Sequence, residues 1–363
     1  MKNVRTRIAA GVIVGGLGIV PMAAAQSFEI TPLVTLEEAK GGVDDPLLLS
    51  GFGQLDGMLY ANLNASIIGE GRITAGMPGT TFTTEIGPTD FTDAGLEETG
   101  FFVNAPLSNV GDRFAFGGSL QNLVASFSPA TGVSLLASEE EIGTFTGATS
   151  AIGLPTANLS GAQAGVGDEL FFFDGSSDSL LAVDLSGNLR TVFSDDDLAG
   201  SVVGADDIDR LHVVGDDLIF GSGNGEGVYR VPLSDLTPGA IVQILDADDF
   251  EAVFGDDDDN VGFLALTLGN DGLVYTYESD ADSIFRFDAD NPAATLELVL
   301  SDTELADGSA GTDAVTGLIP SGDSVAYFTV NGTQGLFQIT EVPEPTTLAW
   351  LALAGFGLRR RRA

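Results

Sequence analysis

Residues Gly167–Leu198 read GDELFFFDGSSDSLLAVDLSGNLRTVFSDDDL: a turn, an apolar strand, a polar hairpin, an alternating strand, a Ser-Gly-Asn turn, a third strand and an acidic stop. The continuous triplet Phe171-Phe172-Phe173 suits a strand covered on both faces. Gly175-Ser176 and Ser186-Gly187-Asn188 supply residues that tolerate positive φ at tight turns. The same plan recurs on either side. An aspartate in a tight turn just before an apolar strand stands at Asp56, Asp112, Asp168, Asp216, Asp271 and Asp323, at intervals of 56, 56, 48, 55 and 52 residues. Similarity at a near-fixed period is the mark of a repeat architecture, and six such turns predict six repeats.

Each repeat is expected to hold four strands. In the quoted unit these fall near Gly165 and over 170 to 174, 179 to 185 and 189 to 194. The first repeat is the least regular, with an outer strand predicted near 80 to 85. The repeats share an ending, an apolar strand that stops in acid: LLASEEEI (135 to 142), TVFSDDDL (191 to 198), QILDADDF (243 to 250) and LVLSDTEL (298 to 305). LVTLEEA (33 to 39) has the same form but stands before the first repeat, whereas GLFQITEVPEP, from Gly335, lacks it. The chain thus begins with the strand its last repeat needs. Joining the two removes an open sheet edge. The predicted fold is all-β, a six-bladed β-propeller over residues 26–341 closed by its N-terminal strand; seven blades or an open β-solenoid are the alternatives.

Composition agrees. The chain has 363 residues, 48 of them Gly and none Cys, so disulfides, thiol nucleophiles and thiolate metal sites are excluded. No sustained 3.6-residue period runs through the middle. Between residues 26 and 342 seven basic residues face 52 acidic ones, a net charge of −45. Such a field repels nucleic acid and anionic membranes and attracts divalent cations and polycations.

The two ends carry a different kind of signal. Lys2, Arg5 and Arg7, then an apolar run from Ile8 to Val20, then Ala23-Ala24-Ala25 form a secretory signal peptide, residues 1–25. Cleavage between Ala25 and Gln26, with Ala23 and Ala25 as the small recognition residues, is expected. At the other end, residues 342–363 hold Pro343-Glu344-Pro345, an apolar helix over 346 to 358 and the cluster Arg359, Arg360, Arg361 and Arg362. Prolines stop the last strand there. The arginines place the tail's end on the cytoplasmic side.

That order of elements resembles the PEP-CTERM sorting signal of Gram-negative bacteria, over about the last 20 residues. The resemblance implies transient inner-membrane anchoring and processing by an exosortase-type sorting enzyme, after signal peptidase and the general secretion machinery have acted. The implied destination is the outer surface or extracellular matrix of an exopolysaccharide-producing, biofilm-forming cell. A sorting address says nothing about activity.

Candidate chemistry is sparse. The single histidine, His212, lies in DRLHVV, an expected inner strand, with no Gly-x-Ser-x-Gly elbow anywhere to make a triad; packing or one hydrogen bond is its expected role. Zinc bound by His and Cys is excluded by inventory. Acidic runs at Glu139 to Glu141, Asp195 to Asp197, Asp248-Asp249 and Asp256 to Asp259 are expected in loops between blades, where Ca²⁺ takes six to eight oxygen ligands, though none has the EF-hand spacing. Asp280, Asp282, Asp288 and Asp290 fall on hairpin turns that favour Asp anyway.

A second calcium reading uses repeat register. Asp45, Asn104, Asn158, Asp207, Asp259 or Asn260, and Asp313 each precede an inner strand and would ring one mouth of a central channel, with Asp207, Asp259 and Asp313 as metal ligands. Six-bladed sugar-lactone hydrolases are similar in placing metal-holding acids and amides there. Glycoside hydrolysis fits less well, because the only Trp is Trp350 in the tail and the candidate sugar platforms Tyr60, Tyr229, Tyr275, Tyr277 and Tyr327 fall largely in core strands. No phosphate-binding glycine loop is present, and nucleic-acid binding is disfavoured. The expected function is that of an exported structural or binding protein of the cell surface or matrix, meeting polysaccharide through acidic loops with or without Ca²⁺. The alternative is a metal-dependent, lactonase-like propeller hydrolase.

Overall fold

Apolar strands that need cover on both faces find it when sheets pack face to face around an axis. A computed structural model of the chain, which describes residues 27–43, 47–65, 71–96, 105–118, 121–204, 207–254, 262–308, 315–330 and 333–342, has this arrangement. It contains six four-stranded antiparallel sheets. The innermost strands are Leu47–Leu55, Ser108–Val110, Leu159–Val166, Arg210–Val214, Phe263–Leu268 and Gly317–Ser321, here defining blades I to VI. Each lies beside the inner strand of the next blade around the axis. The six-bladed propeller is therefore the fold. The predicted signal peptide and C-terminal apolar helix lie outside the described residues, and no helix among the described residues is long and apolar enough to cross a membrane.

All six repeat aspartates sit in the turns joining an inner strand to its second strand, so they gather at one end of the ring. Four of these turns begin with a glycine at positive φ, Gly111, Gly167, Gly215 and Gly322 (φ 59°, 60°, 61° and 55°), as a two-residue hairpin of the right twist demands. All six aspartates are exposed. They form turns.

The ring closes where the sequence predicts. Ser27–Thr35 pairs antiparallel with Gly335–Val342, Ile30 opposite Ile339 and Val34 opposite Leu336. Pro32 is tolerated because this strand is the outer edge of blade VI, and the register shifts between Pro32 and Val34. Val34 also packs with Leu336, Phe328 and Phe52, so the closing strand belongs to the seam between blades VI and I.

One expectation needs correction. The acidic runs after the outer strands are not irregular loops; they open short helices, Leu36–Ala39, Glu139–Thr146, Asp195–Ala199, Ala247–Phe254 and Asp302–Gly308, with Pro88–Asp93 as the sixth. Ser138 Oγ accepts the Glu141 N–H at 3.3 Å while Glu141 Oε2 accepts the Ser138 N–H at 2.8 Å, and Ser194 with Asp197 repeats this reciprocal cap. Thr35 with Glu38, Asp246 with Asp249 and Ser301 with Glu304 do likewise. Gly87 has no side chain to accept, so only its N–H to Asp90 remains, at 2.8 Å.

The residue before each cap and the one after each capping acid are both apolar and buried: Val34 and Ala39, Ile86 and Phe91, Ala137 and Ile142, Phe193 and Leu198, Leu245 and Phe250, Leu300 and Leu305. Each pair falls in one hydrophobic cluster, a staple that fixes the turn out of the outer strand. Acids there answer exposed backbone N–H groups and the helix dipole.

The cores lie between blades. Tyr275 and Tyr277 of blade V meet Tyr327 and Phe337 of blade VI, and Phe171 of blade III meets Phe220 and Tyr229 of blade IV. All five tyrosines weighed as sugar platforms are buried.

Two outcomes are expected. Val34→Asp places an unpaired carboxylate in the closing seam and should cost more than about 3 kcal/mol in urea unfolding; an unchanged midpoint would remove closure as the source of stability. Ser138→Ala and Ser194→Ala should each cost about 1 kcal/mol at neutral pH. Backbone N–H donation from Ser138 and Ser194, then their hydroxyls, lowers the pKa of Glu141 and Asp197. The capping stability is thus present above the unfolded carboxylate pKa of about 4 and is lost as pH falls through the folded values. The gap between wild type and Glu141→Gln should narrow over that range.

Candidate binding site in the central channel

The inner strands enclose a cavity of about 390 Å³ on the axis, to which all six blades contribute. Close approach of neighbouring strands defines its walls. A Cβ at Gly165 would stand 1.7 Å from the Asn109 carbonyl oxygen, so only glycine lets blades II and III meet there. Side-chain amides tie adjacent inner strands. Gln163 donates to the Pro106 carbonyl (2.8 Å) and accepts from the Gly117 N–H (2.6 Å), and Asn109 donates to the Gln54 carbonyl (3.1 Å).

Electrostatically the wall is the reverse of the exterior. In a chain with 53 acidic residues, no acid is among the described residues that line it, and the two ionisable groups among them are Arg210 and His212. They are two apart on the inner strand of blade IV and therefore project to the same side of it. Arg210 is 7% exposed. Its Nε donates to the Leu264 carbonyl (2.6 Å) and one Nη to the carbonyls of Asp209 (2.5 Å) and Ser160 (3.4 Å), so it spans blades III, IV and V. No carboxylate lies within ion-pair distance of it among the described residues, and its other Nη makes no hydrogen bond there. Burial pulls its pKa down to about 10, against a smaller opposing pull from Asp209, so it stays charged at neutral pH.

Asp209 does not answer that charge directly. Its carboxylate turns to the Gly223 N–H (2.7 Å), and burial, then Asp207, raises its pKa. Neither ring nitrogen of His212 has a hydrogen-bond partner among the described residues, and the residue lines the cavity. Desolvation inside the ring lowers the imidazole pKa to about 4. His212 lies on the inner strand as expected, half-buried in the channel wall and without a hydrogen bond among the described residues.

The sequence-predicted ligand ring is only partly in view. Asp45, Asn104, Asp259, Asn260 and Asp313 lie outside the described residues, as do Ala23, Ala25, Pro343, Glu344, Pro345 and Arg359 to Arg362. Asp207 accepts from Ser222 Oγ (2.6 Å) and the Asn224 N–H (3.5 Å), holding the loop into blade IV against the next hairpin. Asn158 plays the same part through its backbone, its N–H donating to Asp174 at 2.7 Å. Glu278 does so in blade V, accepting the Gly262 N–H at 2.8 Å. Among the described residues no three His, Asp or Glu side chains converge as a metal site. Sequence reasoning missed Arg210. Its signal was rarity, one of seven basic residues in the body, two positions before the only histidine.

The fold places the chain among six-bladed β-propellers. Similar solved structures include a Bacteroides thetaiotaomicron protein of unknown function (12% identity, TM-score 0.54, covering 88% of this chain and 77% of that one). A streptogramin B lyase (14%, TM-score 0.50, 87% and 98%) and the virginiamycin B lyase of Staphylococcus aureus (13%, TM-score 0.49, 87% and 100%) are also similar. At these identities the likeness is one of fold alone. No protein-family model and no curated protein matches the chain, its tail included.

With one histidine, the ring is directly observable. Its NMR titration should show an imidazole neutral from pH 8 to 5.5 and protonating near about 4. Because its unfolded pKa is about 6.5, His212 should lower stability as pH falls from about 6.5 to about 4. An ordinary titration near 6.5 would place the ring in bulk water.

Proposed function

We propose that this protein is an exported binding propeller, held at the outer surface or in the matrix of a Gram-negative cell after sorting by an exosortase-type enzyme, and that its site is the central channel. The observation that carries binding over catalysis is the make-up of that channel. Its wall offers hydrogen-bond donors and one fixed positive charge that has no acidic partner within ion-pair distance among the described residues. An imidazole with a pKa near 4 and no group to orient it is a weak general base at neutral pH. The lactonase-like alternative draws on Asp207, Asp259 and Asp313 with Ca²⁺, of which only Asp207 is described, and it is engaged with Ser222.

Attachment has its own support. Ser27 lies opposite Val342, so the two ends of the described ring stand side by side at the rim of blade VI, from which a sorting tail would leave. The tail can then be anchored and cut without opening a blade. Association with exopolysaccharide would use the acidic exterior, through polycationic groups or bridging Ca²⁺.

Cell fractionation tests this directly. The native chain should reach the surface or medium beginning at Gln26, while replacement of Arg359 to Arg362 by Gln should leave it in the inner membrane or periplasm. Equal release of both forms would sink the sorting reading. Calorimetric titration of Ca²⁺ into native chain and the triple variant Asp207→Ala, Asp259→Ala, Asp313→Ala separates the classes: unchanged stoichiometry supports the binding propeller, and loss of a site supports the hydrolase.

A further inference from the structure

The channel's own chemistry narrows its ligand. A buried cation is costly unless paired, and Arg210 is 7% exposed with an unbonded Nη and no carboxylate in reach among the described residues. The surrounding chain could readily have supplied an acid: Asp207 and Asp209 sit just before this strand, yet both turn to hydrogen-bond donors in the following hairpin. His212 lines the same cavity, with no hydrogen-bond partner among the described residues. As a neutral ring it offers one N–H donor beside the guanidinium. Donors and a positive charge, with no acidic group among the described lining residues, define a site for an acceptor that is negatively charged.

The rest of the wall sets the ligand's body. Pro106, Leu107, Leu266, Leu318 and Ile319 line the cavity, so most of what a ligand touches is hydrocarbon. Inorganic phosphate or sulfate would leave that surface idle and would lose its hydration against it. A polysaccharide chain is too broad for about 390 Å³, a volume at the lower end of small-molecule sites. We infer that the central channel binds a small amphipathic monocarboxylate, its carboxylate on Arg210 Nη and the His212 N–H and its short apolar body along the leucine-rich wall. With Nε and one Nη committed to carbonyls, the remaining Nη donates to one carboxylate oxygen, a charge-assisted hydrogen bond. The inference rests on the channel as the binding site and stands whether or not the protein is exported.

The probe is hexanoate, a six-carbon chain of the right class, titrated calorimetrically into the full chain at constant ionic strength. Hexylammonium, with the same body and opposite charge, and sulfate, with charge and no body, are the controls. Hexanoate should bind one per chain, at least tenfold tighter than either control. Arg210→Met, which keeps an apolar stem and removes the charge, should weaken hexanoate at least tenfold, and His212→Gln by less. Should Arg210→Met not fold, the wild-type protein still decides: hexanoate must shift the single imidazole resonance with the affinity measured by heat. Absence of hexanoate binding, equal binding of hexylammonium, undiminished binding by Arg210→Met, or binding that leaves His212 unmoved each overturns the inference. Failure of the fractionation test would leave these results untouched, so the two readings fail separately.

Discussion

One antiparallel pairing holds the rest in place, that of Ser27–Thr35 with Gly335–Val342. Without it blade VI would end on an unpaired strand, and the apolar side chains of Leu336 and Ile339, both fully buried, would lose a wall. Each such side chain contributes about 1.5–3 kcal/mol when buried. The loss would not stay local, because Val34 also seals the seam to blade I. A chain without cysteine has no covalent substitute for this closure. Arg286 of blade V reinforces it: its guanidinium meets Glu297 (2.5 Å) and Glu341 (3.5 Å) and lies over the Phe28 ring of the closing strand at 5.1 Å.

Between blades the same solution is used six times. An outer strand ends in a buried apolar residue, a capping group turns the chain, an acid answers the cap, and a second apolar residue packs beside the first. This unit explains much of the acidity. Carboxylates at the first turn of a helix are placed against exposed N–H groups and the positive end of the dipole, so the chain gains turn geometry and solubility from the same residues. The dense acidic runs thus have a structural occupation, and their presence alone gives no reason to infer bound cations.

The channel stands apart from that surface. Most of the seven basic residues between positions 26 and 342 meet acids: Lys40 with Glu37, Arg113 with Asp112, Arg190 with Glu169, Arg230 with Asp217 and Arg286 with Glu297. Arg210 instead faces carbonyl oxygens from three blades and open space. The packing of blades III, IV and V side by side makes this arrangement possible, since the three carbonyls belong to residues 160, 209 and 264. The low-dielectric interior then strengthens any charge brought to it.

The sequence by itself determined the repeat, the blade number and the closure, because turn aspartates at a near-fixed interval and strands with two apolar faces are local facts whose physical meaning is independent of context. Even the caps were legible: LLASEEEI and TVFSDDDL carry the Ser-x-x-acid spacing of a helix start, although an acidic stop was the reading that strand periodicity suggested, and EIGPTDF in blade I hides it behind a glycine. Only the tertiary structure decided the site. Which polar residues look inward depends on how six inner strands approach the axis, a packing outcome set by glycines such as Gly165 and by contacts between residues fifty or more apart. For that reason Asp207 could be read as a ligand while it braces a hairpin, and Arg210, unremarkable in the sequence, became the one cation among described lining residues that include no acid.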